Sequence, residues 1–156
     1  MKTYTLTDVA QLVDMHSHVI NFGTQENAPD DVWIKTAENT LDLQFTTSYK
    51  SFLKNYGGGE IGGEEIFSIY EICAGIPAGD IVYRNLLDRR DGFTNPKQLV
   101  ISTTDFGETF YFDYTQFQDG ECPLYLKFPS SDPQYYANSF YEFLCKRIKD
   151  YAGEDS

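Results

Sequence analysis

Basic residues are scarce in this chain. Twelve Lys and Arg stand against 24 Asp and Glu among 156 residues, giving a net charge of −12. A field of that sign repels phosphate backbones and anionic lipid surfaces, which argues against direct nucleic-acid binding and membrane-surface binding. It attracts cationic polypeptides and speeds their encounter, and it also serves plain solubility. Long apolar runs are missing too. None approaches the ~20 residues that span a bilayer, and residues 1–16 have one Lys and an amphipathic pattern rather than the apolar stretch of a secretory leader. Cysteine is rare, odd in number and widely spaced. Cys73, Cys122 and Cys145 form no CxxC pair, so they read as buried thiols in a reducing cytoplasm rather than a disulfide framework. What the chain has in quantity is aromatic side chains, 12 Tyr and 12 Phe. They give the core of one small domain a large apolar payload, and on a surface they anchor partners.

Apolar spacing predicts an N-terminal helix through Val9, Leu12, Val13, His16 and Val19 or Ile20, capped by Thr5 or Thr7. Residues 21–29 read as a loop. Pro29-Asp30-Asp31 starts a second helix that carries Trp33, Ile34, Ala37 and Leu41 inward. The clearest element follows. Thr46, Thr47 and Ser48 supply caps, Tyr49, Phe52, Leu53 and Tyr56 form one apolar stripe, and Gly57-Gly58-Gly59 ends the helix. Gly62-Gly63 marks a second tight turn. Residues 66–72 (IFSIYEI) read as a strand, and 80–90 as a helix with Val82, Tyr83, Leu86 and Leu87 on one face. Strands are expected at 99–104 and 109–114, joined by a turn at Asp105-Phe106-Gly107-Glu108, with a further strand at 122–128. A last helix over 137–151 buries Phe140, Phe143, Leu144 and Ile148. This order predicts an α+β fold, a mostly antiparallel sheet flanked by helices, in one domain over 1–156. Residues 1–28 form its N-terminal helix and loop, 29–151 its core and 152–156 its tail.

Little in the chain carries catalytic or metal chemistry. His16-Ser17-His18 puts two imidazoles at i, i+2, which share a face on a strand but not on a helix, and there is no third histidine. The GGGEIGG run at 57–63 lacks the Gly-Lys-Ser/Thr ending of a phosphate loop and holds Glu60 where a phosphate would be repelled. A cysteine nucleophile would have only His16 or His18 as its base. The expectation is therefore no catalytic residue, no metal and no cofactor. Acidic residues gather in three places: Glu60, Glu64 and Glu65 after the glycines, Asp105 and Glu108 at the hairpin tip, and Asp119 with Glu121 at the next turn. With Tyr70 and Phe106 beside them they form either a partner-binding face or a solvated rim.

Several segments resemble the SUKH superfamily, which includes the Smi/Knr cell-wall assembly regulators. They are Ala37-Glu38, Leu41-Asp42-Leu43, Phe45-Thr46, Ser48-Tyr49-Lys50-Ser51-Phe52-Leu53 and Tyr56-Gly57-Gly58-Gly59. Downstream, the hairpin around Asp105 to Glu108, the Asp119-Gly120-Glu121-Cys122-Pro123 turn and Asn138-Ser139-Phe140-Tyr141-Glu142-Phe143-Leu144 continue the likeness. Asp42 stands where the family pattern has Gly, and Phe45-Thr46 where it has Leu-Pro, although Thr46 can still cap a helix. The resemblance implies a helix-wrapped sheet without a catalytic centre. It also implies a bacterial immunity protein that binds and neutralises a polymorphic toxin domain, often a nuclease, or else a regulator or scaffold binding an endogenous protein. An acidic binder suits a basic nuclease cleft, which makes a basic toxin domain the expected partner.

Overall fold

The computed structural model describes residues 3–69 and 80–153. Within them lie five α-helices and two antiparallel sheets. Helix α1 (Leu6–Met15) is closed at its start by a capping box between Thr5 and Asp8. It stops at Met15 rather than continuing to Ile20, because Val19 and Ile20 are claimed by a sheet. The Val19 carbonyl accepts from Gly62 N at 2.7 Å, and Ile20 pairs with Ile61. The expected loop at 21–29 thus begins inside strand β1 (Ile20–Phe22), which lies beside β2 (Gly59–Ile61) and β3 (Glu64–Ile66) in the order β1-β2-β3. β1 and β2 approach closely at Gly59 (φ 142°), where a Cβ would run into the Asn21 carbonyl oxygen.

Helix α2 (Asp31–Leu41) starts at Asp30, whose side chain accepts from Trp33 N, and buries Ile34, Ala37 and Leu41 as the spacing predicts. Trp33 is only half-buried. The helix ends on Asp42 in the left-handed conformation (φ 56°), which explains why the family pattern carries Gly there. Glu38, from the Ala37-Glu38 pair, is buried and accepts from Phe45 N at 2.7 Å, which fixes the turn into α3 (Thr47–Tyr56). Thr46 caps α3 and Gly57 (φ 73°) ends it. Its Tyr49 is the centre of the core. The ring meets Phe45, Phe52, Phe112 and Phe140, and the hydroxyl donates to the Phe67 carbonyl at 2.7 Å.

The second sheet runs β4 (Gln98–Thr103), β5 (Thr109–Asp113), β6 (Leu124–Lys127), β7 (Gln134–Ala137). Leu99, Ile101, Phe110, Phe112 and Leu124 face the core, where Phe140 and Phe143 of α5 (Phe140–Ala152) cover Phe112 and Phe110. Strand β7 takes Ala137, the first residue that the helical pattern claimed, and α5 begins only after its cap at Ser139. The expected strand at 66–72 is shorter. Ile66 ends β3, Phe67 N donates to Ile101 O at 2.8 Å and so stitches the two sheets together, and residues 70–72 lie outside the described residues.

Helix α4 (Ile81–Arg90) packs only part of that apolar face inward, with Val82 half-buried against the core and Leu87 half-buried. It buries Ile81, Asn85 and Asp88, and leaves Tyr83 (40%) and Leu86 (41%) exposed. The reason is Asn85. Its amide donates to Val100 O at 2.9 Å and accepts from Val100 N at 2.7 Å, so one side chain stands in for a neighbouring strand along the edge of β4.

Candidate protein-binding face

The acidic residues divide once they are placed in space. Glu64, expected on the surface, is buried, at 4% exposure. The Gly62-Gly63 turn pairs it with Ile61, so its side chain points inward. Its Oε1 accepts from Arg147 Nε at 3.1 Å, from Arg147 Nη2 and from the Tyr151 hydroxyl at 2.9 Å, and its Oε2 lies 2.6 Å from the Ser102 hydroxyl. Arg147 packs over the rings of Phe110 and Tyr151 and also bonds Asp150. Burial opposes the guanidinium charge, but the hydrogen bonds and charge of Glu64 outweigh it and raise the Arg147 pKa. Glu64 is thus the bolt between α5, β3 and β4 and does not offer itself to a partner. The helical spacing of Phe140, Phe143, Leu144, Arg147 and Ile148 already puts Arg147 on the inward stripe, a signal that its charge conceals.

Glu121 is also tied down. Ser48 donates to it from its backbone N at 2.8 Å and from its hydroxyl at 2.7 Å, which closes the start of α3. Burial raises its pKa, and the Ser48 hydrogen bonds oppose that rise. Asp119 is exposed in the same loop, which follows the far end of β5 from the 105–108 turn. The third acidic place is therefore separated from the other two. Tyr70 lies outside the described residues.

Four acids remain in two adjoining hairpins, joined through Ser102, whose hydroxyl is 3.0 Å from the Glu65 carbonyl. Glu60 and Glu65 are both exposed and sit directly opposite each other across β2 and β3. Partial burial and then the charge of Glu60 raise the Glu65 pKa. Asp105 and the 83% exposed Phe106 occupy the tip between β4 and β5, and Glu108 is held by the Thr104 hydroxyl at 3.1 Å. Like charges placed opposite on a sheet destabilise it, so Glu65→Gln is expected to raise stability by about 0.2–1 kcal/mol at neutral pH. A carboxylate with a raised folded pKa penalises the fold above that pKa, and the penalty vanishes below the unfolded value. The advantage of Glu65→Gln therefore shrinks as pH falls through the window between the two, and urea melts at several pH values read it directly.

The remaining candidates for chemistry are dispersed. His16 and His18 stand with ring centroids 6.0 Å apart at the end of α1, and among the described residues no three His, Cys, Asp or Glu side chains group as metal ligands. Cys122 and Cys145 are buried, Cys122 with its pKa pushed up to about 12 by burial and then by Glu121 and Asp113, while Cys73 lies outside the described residues. None of the described helices is long and apolar enough to cross a membrane.

Residues 31–144 match the family described as SMI1-KNR4 cell-wall, SUKH_6, a span that runs from the first turn of α2 into α5. The chain belongs to the SUKH superfamily. No curated protein matches it. SUKH domains are of immunity or regulatory type, typically bind protein partners and are not a known enzyme family. The matched span contains both acidic hairpins, the Asp42 left-handed turn and the Glu64 side of the buried ion pair, whereas Arg147 lies just beyond it.

Proposed function

We propose that this SUKH protein is an immunity protein that neutralises a cognate polymorphic toxin, of nuclease type, by direct binding of a basic toxin domain. The observation that carries the reading is the Glu60–Glu65 pair, two like charges kept face to face beside the acidic tip at Asp105 and Glu108. A cationic surface docked there relieves the repulsion, and the net charge of −12 speeds its arrival. Phe106 supplies an apolar anchor next to the charges.

Co-expression with the C-terminal domain of a toxin encoded beside this chain is expected to rescue growth and yield a co-purifying complex. The association rate is expected to fall by about tenfold or more between roughly 0.02 and 0.5 M salt, and the Glu60→Gln, Glu65→Gln pair to reduce it at low salt. A rate indifferent to salt removes the electrostatic part. Absence of rescue together with a stable complex with an endogenous protein replaces the reading with a regulator of the same fold.

A further inference from the structure

The outer face of the four-stranded sheet carries a row of tyrosines that begins in the core at Tyr111 and runs out to the surface at Tyr135. Tyr111 pairs with Tyr125 across β5 and β6, and Tyr125 with Tyr135 across β6 and β7. The first two rings stack at 6.1 Å and the second two meet edge to face at 6.1 Å. Exposure rises along the row, from buried Tyr111 through half-buried Tyr125 to Tyr135 at 54%. The hydroxyls of Tyr125 and Tyr135 are held by neighbouring side chains. Gln116 Nε2 donates to the Tyr125 hydroxyl at 3.1 Å and to Asp113 Oδ2 at 2.8 Å, and the Tyr135 hydroxyl donates to Asn138.

A carboxylate stands at each end of the row. Asp113 follows Tyr111 by two residues on the same face of β5. Its burial opposes ionisation, but hydrogen bonds from Thr115 and Gln116 outweigh that and hold its pKa below the ordinary value. Glu142 accepts from Asn138 N at 2.7 Å beside Tyr135 and acts on that ring electrostatically. The row opens into a groove of about 510 Å³ that Tyr111 shares with Phe93, itself 77% exposed. The cations of that groove are already engaged. Arg84 pairs with Asp88, and Lys127 Nζ donates to the carbonyls of Phe128 and Ser131. What Tyr125 and Tyr135 offer is therefore electron-rich rings flanked by Asp113 and Glu142, with the Lys127 ammonium, two residues along the same face of β6, turned to the neutral carbonyls of Phe128 and Ser131.

We propose that the Tyr111–Tyr125–Tyr135 row is the seat for an arginine-bearing extended segment of a basic protein partner. This rests on the binding reading above and adds to it a second surface and the side chain it selects. A guanidinium is planar, weakly hydrated and stacks on aromatic faces, while its N–H groups reach a flanking carboxylate; an ammonium does the first poorly. A second copy of this chain is disfavoured as the occupant, because −12 on each copy repels. Addition to the β7 edge is hindered, because Lys146 Nζ already covers the Tyr136 carbonyl at 2.6 Å.

The test uses the full chain with ¹³C-labelled tyrosine rings and a synthetic ten-residue peptide of alternating Arg and Ser, with a Lys-for-Arg peptide as comparison. The Arg peptide is expected to shift the Tyr125 and Tyr135 ring resonances and to bind about fivefold more tightly than the Lys peptide. Tyr135→Ala, at an exposed position, is expected to weaken the Arg peptide by about fivefold, and Tyr135→Phe to retain it. Equal binding of the two peptides, shifts confined to the Glu60–Glu65 and Asp105 hairpins, or no binding overturns the seat. Toxin protection that survives alongside any of those results leaves the immunity reading standing. Tyrosine shifts in a chain that protects against no toxin remove that reading and keep the seat.

Discussion

Replacing Arg147 by methionine is expected to lower the stability of the fold by about 3–5 kcal/mol. The substitution removes the cation from a Glu64 carboxylate that is almost wholly buried, and Ser102 and Tyr151 alone are left to hold it. Removing one partner of a buried pair leaves an uncompensated charge, which is why the loss exceeds what the pair itself contributes. The double variant Glu64→Leu, Arg147→Met separates these two quantities. It is expected to recover most of the loss, because an apolar pair of similar volume carries no desolvation penalty. Denaturant melts of the wild type, both single variants and the double variant form the cycle that reads the coupling. A double variant as unstable as Arg147→Met would show that the packing of Arg147 over Phe110 and Tyr151, and not its charge, holds α5 to the hairpins.

Asn85→Ala is expected to destabilise by about 2–5 kcal/mol, because it orphans two buried backbone groups at once, each worth roughly 1–3 kcal/mol. Val100 N and Val100 O both lose their partner on that edge, in a residue that is 1% exposed. Asn85→Asp keeps the acceptor for Val100 N and sets a carboxylate against Val100 O, so it is expected to do no better. Amide exchange at Val100 distinguishes local opening of the β4 edge from a loss spread over the whole fold: faster exchange there than the global stability predicts reports the edge.

Where each residue's role depended on its own neighbours in the chain, the sequence was readable. The stripe of α3, its Thr46 cap and its Gly57 stop follow from spacing and backbone preference, and so do the 105–108 hairpin turn and the inward residues of α5. Residues whose partner is distant in sequence were not readable. The apolar pattern of α4 favours Val82, Tyr83, Leu86 and Leu87, and nothing local announces that Asn85 is to serve the edge of a strand fifteen residues away. Strand β7 was hidden because Ala137 and its neighbours also fit the start of a helix. Of the candidate site, Glu60, Glu65, Asp105 and Phe106 are exposed and Glu108 is half-buried, in adjoining hairpins, whereas Glu64 and Glu121 are structural acids. Counting charges cannot make that division. The two-residue Gly62-Gly63 turn can, because it sets the register and with it the side to which Glu64 points.

The amide of Asn85 has one more effect. A flank of β4 that would otherwise recruit a foreign strand already has its ladder position beside Val100 filled by the molecule's own side chain. Pairing of a foreign strand along that flank is therefore opposed at Val100, even where many copies crowd together.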